Sequence, residues 1–303
     1  MADLNWDADG PRWPLHEHSR FVQSGGLRWH VQLLPGPASS SGPQAPCVLL
    51  LHGTGASTHS WRGVAPLLAQ HAQVISLDLP GHAFTGMPPG GVGSPQLTLP
   101  GMARAVHGLL QTLQLSPTLV VGHSAGAAIA VRMCLDGLIT PRRIIGLNAA
   151  LLPLGGLAGR LFSPAAKLLA AAPLVPRLFA WHATEPAVLQ RLLHSTGSTL
   201  DATGTALYQR LVRSPAHAAG ALGMMANWDL PTLSRHLPQL TVPLDLMVGT
   251  RDRTVPPEQA QRVLALLSPA ARGEFVQLEG LGHLAHEEQP ERVAGLIAGQ
   301  LMH

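Results

Sequence analysis

The chain has 303 residues, enough for one large domain or a domain with an insertion, and 46% hydrophobic against 12% charged residues exclude a disordered polypeptide. The formal charge is only +3, and the high pI of about 9.5 reflects arginine standing in for lysine, since Lys167 is the only lysine. No basic block or aromatic–basic ladder occurs, so nucleic acid is not expected as a partner.

The N-terminus, Met-Ala-Asp-Leu-Asn-Trp-Asp, is acidic and lacks a basic-then-apolar leader, which predicts a cytoplasmic protein. Residues 1–19 hold Trp6, Trp13 and Pro14 without periodicity and read as an extended arm over the body. Residues 19–34 read as a hairpin with a Ser24-Gly25-Gly26 turn and period-two alternation in its second strand. Residues 35–46 form a polar loop, and 47–51 are a continuous apolar run, the mark of a strand covered on both faces, ending in His52-Gly53-Thr54-Gly55. A helix is predicted over 60–70, then a buried strand over 73–77 ending at Asp78-Leu-Pro-Gly-His82. After a Gly/Pro-rich loop at 86–95 come a helix over 99–113, a strand over 118–121, a helix to about 138 and a strand over 143–147.

Strands alternating with helices predict an α/β fold with a mostly parallel, doubly wound sheet. Residues 148–238 change character, being helix-prone and rich in Leu and Ala with no strand-like run. Their greasiest part, 151–180, is broken by Pro153, Pro164, Pro173 and Pro176 and charged at Arg160, Lys167 and Arg177, so no stable membrane insertion is expected. The βα rhythm resumes with a strand over 242–249, a helix over 257–267, a strand over 273–278 and a helix over 286–301. The expected organisation is a core formed by residues 1–147 and 239–303 with a helical cap, 148–238, inserted over the carboxyl ends of the strands, where open α/β sheets bind ligands. Cys47 and Cys134 lie in apolar elements and read as buried reduced thiols.

Gly122-His123-Ser124-Ala125-Gly126 is a Gly-x-Ser-x-Gly pattern between a strand and a helix. Side chains two residues either side of so tight a turn would collide, and the serine hydroxyl is thereby presented at the sheet edge near a helix N-terminus. On these residues the chain resembles an α/β-hydrolase-fold protein over nearly its whole length. The resemblance implies the order nucleophile, acid, histidine. Ser124 is the candidate nucleophile, Asp252 in Gly249-Thr-Arg-Asp252 the candidate acid past a buried strand, and His283 in Gly280-Leu-Gly-His283 the candidate base after the last strand. The chemistry requires these types: a neutral imidazole takes the hydroxyl proton, and a carboxylate fixes its tautomer and stabilises the imidazolium. Taken singly, Asp252 also suits a turn cap and His283 a loop histidine. Asp245 is a poorer acid because it sits mid-strand.

The N–H groups of Ala125 and Thr54 are the expected oxyanion donors, with Gly53 and Gly55 allowing close backbone approach. His52 and His123 read as structural. His16/His18 and His283/His286 have loosely ligand-like spacing, but no further donors complete a site, so neither metal nor cofactor is expected. Glu287 and Glu288 are expected to cap the last helix. Met224, Met225 and Trp228 of the cap suit either helix packing or an apolar wall over a greasy substrate.

A narrower resemblance is carried by Leu51-His-Gly-Thr-Gly-Ala-Ser-Thr-His-Ser-Trp-Arg62, Gly122-His-Ser-Ala-Gly-Ala-Ala-Ile129, Met224-Met-Ala-Asn-Trp-Asp-Leu230 and Gly282-His-Leu-Ala-His-Glu-Glu288, with Gly26–Gln32 and Asp78–His82. These stretches are similar to the magnesium chelatase accessory proteins of bacteriochlorophyll biosynthesis. One departure is Ala83, where the common pattern has glycine. The resemblance implies a part in magnesium–porphyrin synthesis. Two functions follow from it. One is a serine hydrolase cleaving an ester- or thioester-type acyl bond of a large apolar small molecule, in the extreme a tetrapyrrole. The alternative is a non-catalytic porphyrin-binding protein associated with magnesium chelatase. Serine rather than aspartate at position 124 argues against dehalogenase chemistry.

Overall fold

The computed structural model describes residues 3–37, 46–153 and 186–301. Its strands are β1 (Ser19–Ser24), β2 (Leu27–Leu34), β3 (Cys47–Leu51), β4 (Gln73–Leu77), β5 (Leu119–His123), β6 (Arg143–Leu147), β7 (Leu244–Gly249) and β8 (Arg272–Leu278). They form one sheet in the order β1-β2-β4-β3-β5-β6-β7-β8. The pairings of β1 with β2 and of β2 with β4 are antiparallel, and all others are parallel. The winding direction reverses between β3 and β5, the crevice where open α/β sheets place their ligands.

The continuous apolar strands are explained by helices on both faces. Leu49, Leu51, Ile75, Val120, Ile144 and Leu246 face one core with α3 (Leu99–Leu113), α4 (Ala125–Leu135) and α9 (Glu258–Leu266). Their neighbours Val48, Leu50, Val74, Val121, Ile145 and Met247 face a second core with α2 (Ala65–Leu68) and α11 (Pro290–Gly299). Alternate residues of one strand thus supply opposite cores. Between β6 and β7 the described residues contain no strand; they form α5 (Pro186–Ser195), α6 (Ala202–Val212), α7 (Pro215–Ala226), α8 (Leu230–His236), a 3-10 turn (Leu237–Gln239) and their connections. The proline-broken stretch 154–180 lies outside the described residues. Among those described, no helix is long and apolar enough to cross a membrane.

Several elements depart from the sequence reading. The arm is not extended: it forms α1 (Trp6–Asp9) and two 3-10 turns, and Trp13 is buried, with its Nε1–H donating to Thr58 Oγ1 at 3.2 Å. On the polar side of β2 Arg28 is exposed but His30 and Gln32 are buried, His30 bonding Asp78 Oδ2 at 2.8 Å and Gln32 Nε2 donating to Pro14 O at 2.7 Å. The helix expected over 60–70 is a 3-10 turn, Thr58–Trp61, followed by the single turn α2. The last helix is split into α10 (Ala285–Glu288) and α11, since Pro290 forces Gln289 out of the helical region to φ −138°, ψ 70°.

The arm and the inter-strand helices hold one another. Arg210 of α6 grips both oxygens of Asp9 at 2.7 Å, and Asp3 Oδ1 accepts from Ser214 Oγ at 2.9 Å and from Ala216 N–H at 2.8 Å, at the start of α7. Helix α7 lies on the loop after β4 at backbone contact: a Cβ on Gly220 would stand 1.9 Å from Gly81 O. Gly220→Ala is therefore expected to lower unfolding free energy by about 1–3 kcal/mol, as overpacking does, read from urea denaturation. Unchanged stability would mean that α7 does not seat there.

Candidate active site

Strand β5 delivers the chain into a backbone conformation that L residues avoid: Ser124 has φ 51°, ψ −115°. The flanking glycines explain how the turn closes. A Cβ on Gly122 would lie 2.4 Å from Ala127 N, and one on Gly126 would lie 2.2 Å from Leu51 O. Helix α4 can therefore begin directly at Ala125, and Ser124 N–H is tied to Leu147 O at 2.9 Å.

Asp252 and His283 meet beside this turn. His283 Nδ1–H donates to Asp252 Oδ2 at 2.7 Å, while Oδ1 accepts from the N–H groups of Thr254 at 2.7 Å and Val255 at 2.9 Å. A further partner has no signature in the sequence. Asn148, following β6 with φ 45°, donates from Nδ2 to Asp252 Oδ2 at 2.7 Å. Both carboxylate oxygens are thus occupied, which fixes the carboxylate plane and with it the imidazole. His123, next to Ser124, donates from Nε2 to His283 O at 2.9 Å, and the two rings stand 4.7 Å apart. Among the described residues no hydrogen bond joins Ser124 Oγ to His283, a contact that in resting sites often tightens only with substrate bound.

The loop after β3 lies alongside, because Leu51 is in register with Gly122 of β5. His52 accepts from Leu79 N–H at Nε2 (2.9 Å), so its proton is on Nδ1, which donates to Gly53 O at 2.8 Å. Both nitrogens are used, which makes His52 a structural pin. Neither Thr54 N–H nor Ala125 N–H donates to another group of the described residues. From α7, Met224 Sδ accepts from Thr54 Oγ1 at 3.4 Å; Met224 and Trp228 are buried in the main core, and Met225 is half-buried.

The two glutamates do not cap the last helix. Glu287 is buried and accepts from Ser60 Oγ at 2.7 Å, Tyr208 Oη at 2.8 Å and Arg62. Glu288 accepts from Gly282 N–H at 2.8 Å and Thr199 N–H at 3.2 Å, bracing the loop that carries His283. Because Ser60 donates to Glu287, it accepts from His286 Nε2–H at 2.8 Å. Asp245 also has a local role, holding Arg143 at 2.6 Å and Glu274 N–H at 2.7 Å within the sheet. Among the described residues no three His, Cys, Asp or Glu side chains are placed to share a metal ion.

A family model described as "Alpha/beta hydrolase family" matches residues 48–296. The chain belongs to that family. It is 37% identical to the "Magnesium-chelatase 30 kDa subunit" of Rhodobacter capsulatus over 94% of this chain and 95% of that one, in keeping with the narrower resemblance. Among solved structures it resembles an epoxide hydrolase from Vigna radiata (TM-score 0.74, 18% identity, 94% of this chain and 97% of that one). It also resembles an enol-lactonase from Burkholderia xenovorans LB400 (TM-score 0.71, 19% identity, 94% and 100%). The two neighbours carry out different chemistries, so this likeness establishes the fold alone.

A hydrolase fold packed with this many imidazoles should respond to acid. Burial lowers the pKa of His52, His59, His82 and His123, takes His217 to about 4 and takes His286 to about 3. Burial raises the carboxyl of Asp78, but the charge and hydrogen bond of His30, with His52 and the Thr58 N–H, together outweigh it and the net value falls to about 2. The sign follows directly. Below pH 6.5 the unfolded chain binds protons that the folded histidines refuse, so stability is full above that pH and falls below it. Asp78 adds stability above its ordinary value of 3.8 and loses it as the pH falls from there through about 2. The melting temperature is expected to drop steadily from pH 7 to pH 5, each such imidazole contributing up to about 1.4 kcal/mol per pH unit. A flat melting profile over that interval would contradict the burial of neutral histidines.

Proposed function

We propose that this protein is a serine hydrolase that cleaves an ester- or thioester-type acyl bond of a large apolar small molecule. The observation that carries the reading is the placement of a strained Ser124 turn, through its neighbour His123, against a His283–Asp252 pair whose carboxylate is fully hydrogen-bonded. In this reading His283 Nε2 takes the Ser124 proton as Oγ attacks the acyl carbon, and Asp252 stabilises the imidazolium. The tetrahedral oxyanion is received by the N–H groups of Thr54 and Ala125, the latter at the first turn of α4. His283 then returns the proton to the leaving group, and water repeats the sequence to free the acyl group. Of the three apolar candidates in the cap, residues 148–238, half-buried Met225 has surface to offer a substrate while Met224 and Trp228 back it from the core, and the reaction is written without metal or cofactor.

The relative's name supports association with magnesium chelatase; a substrate in magnesium–porphyrin chemistry and a cytoplasmic location belong to the same proposal. The name also favours a second reading, in which the hydrolase fold carries porphyrin to the chelatase without turnover. Fluorophosphonate labelling of wild type, Ser124→Ala and His283→Ala separates the two. A hydrolase is labelled at Ser124 and loses labelling in both variants, in line with the roughly 10⁶-fold loss of turnover when such residues are removed. A folded wild type that resists the probe while binding a porphyrin would be a carrier.

A further inference from the structure

We infer that His217 of α7 positions the Thr54 oxyanion donor through two intervening peptide groups, so that docking of the helix sets the acyl-transfer site; this rests on the serine hydrolase reading. The path can be followed atom by atom. Gly53 C=O and Thr54 N–H belong to one planar trans peptide and point in opposite directions, so whatever holds the oxygen aims the N–H. Gly53 O accepts from His52 Nδ1 at 2.8 Å and from Ala56 N–H at 3.1 Å. Ala56 N–H in turn shares a peptide with Gly55 O, which accepts from His217 Nε2 at 3.1 Å. The series therefore runs from His217 to the Gly55–Ala56 peptide, then to the Gly53–Thr54 peptide. In a water-free interior each bond of such a series polarises the next, which strengthens Thr54 N–H as a donor as well as fixing its direction.

The tautomer is determined by the opposite side of the ring. His217 Nδ1 accepts from Ala83 N–H at 3.0 Å, so the proton lies on Nε2, where the series needs it. Ala83 is the position at which the family pattern has glycine, and it sits at φ 44°. His217 thus pins the strained loop after β4 and the oxyanion loop after β3 with one buried ring. The helix is held at this depth by Gly220 on Gly81 O and by Ser214 Oγ, which accepts from His217 N–H at 3.3 Å. A residue serving only to pack α7 would not need a donor and an acceptor on opposite sides of its ring.

The test is the rate of Ser124 labelling by a fluorophosphonate in the full chain, resolved into the maximal rate and the half-saturating concentration. His217→Gln keeps a donor near the Nε2 position, whereas His217→Asn keeps an acceptor near Nδ1 and cannot reach Gly55 O. Complete loss of an oxyanion donor costs about 10²–10³ in rate. For a misaimed one, His217→Asn is expected to lower the maximal rate about 10–100-fold with half-saturation unchanged, and His217→Gln to recover most of it. Equal rates in the two variants, fast or slow, would overturn the role of His217 and leave the hydrolase reading standing. Failure of the wild type to label would overturn both.

Discussion

The carboxyl end of the sheet depends on one strained residue, Ser124. Holding an L residue at φ 51°, ψ −115° costs on the order of 1–3 kcal/mol, and such a conformation survives only when its surroundings leave no alternative. Here β5 and α4 supply that restraint. The helix starts so soon after the strand that its second residue, Gly126, rests on the carbonyl of Leu51. The same contact draws the loop after β3 against the turn, since Leu51 is paired with Gly122. Thr54, Ala125, Asn148, Asp252 and His283 all lie just past carboxyl ends of strands on this side of the molecule, and the register of β3, β5, β6, β7 and β8 fixes their spacing.

Histidine does much of the structural work around this end, and its two-sided chemistry explains the choice. His52 joins the loops after β3 and β4 by accepting with one nitrogen and donating with the other. His30 likewise joins Asp78 to Ser19, whereas His286 bonds through Nε2 alone, to Ser60, with its ring tilted against Trp61 at 4.6 Å. A neutral ring can be buried with its bonds satisfied at small cost, whereas an ammonium or guanidinium in the same place would demand a counter-charge. Arg62 has that counter-charge in the buried Glu287, and its second bond, to exposed Asp201 just before α6, ties that helix to the body.

The fold was legible because its signals are local. The continuous apolar strands and the two glycines around Ser124 each act within a few residues. Ser124, Asp252 and His283 could be proposed from motif order because each follows a strand; the pairing of Asp252 with His283 was then found at 2.7 Å. Contacts made across the chain were harder to read. Asn148 reaches Asp252 over 104 positions and His217 reaches Gly55 over 162, and nothing in Leu-Asn-Ala-Ala or Pro-Ala-His-Ala announces either. Glu287 was misassigned because a helix-capping rule considers only its own helix, while its partners Ser60, Arg62 and Tyr208 come from elsewhere. The break at Pro290 was readable, since the residue before a proline is forced out of the helix.

The contact between Asp3 and the start of α7 bears on how the chain is made. The groups that Asp3 caps, Ser214 Oγ and Ala216 N–H, are synthesised 211 and 213 positions after it. At about 5–20 residues per second that separates the two halves of the contact by roughly 10–40 s. The sheet strands β1 to β6 can pair in that interval, but the arm cannot find its partner until α7 has emerged. Docking of the arm therefore waits for α7, the helix that also brings His217 to the loops it holds.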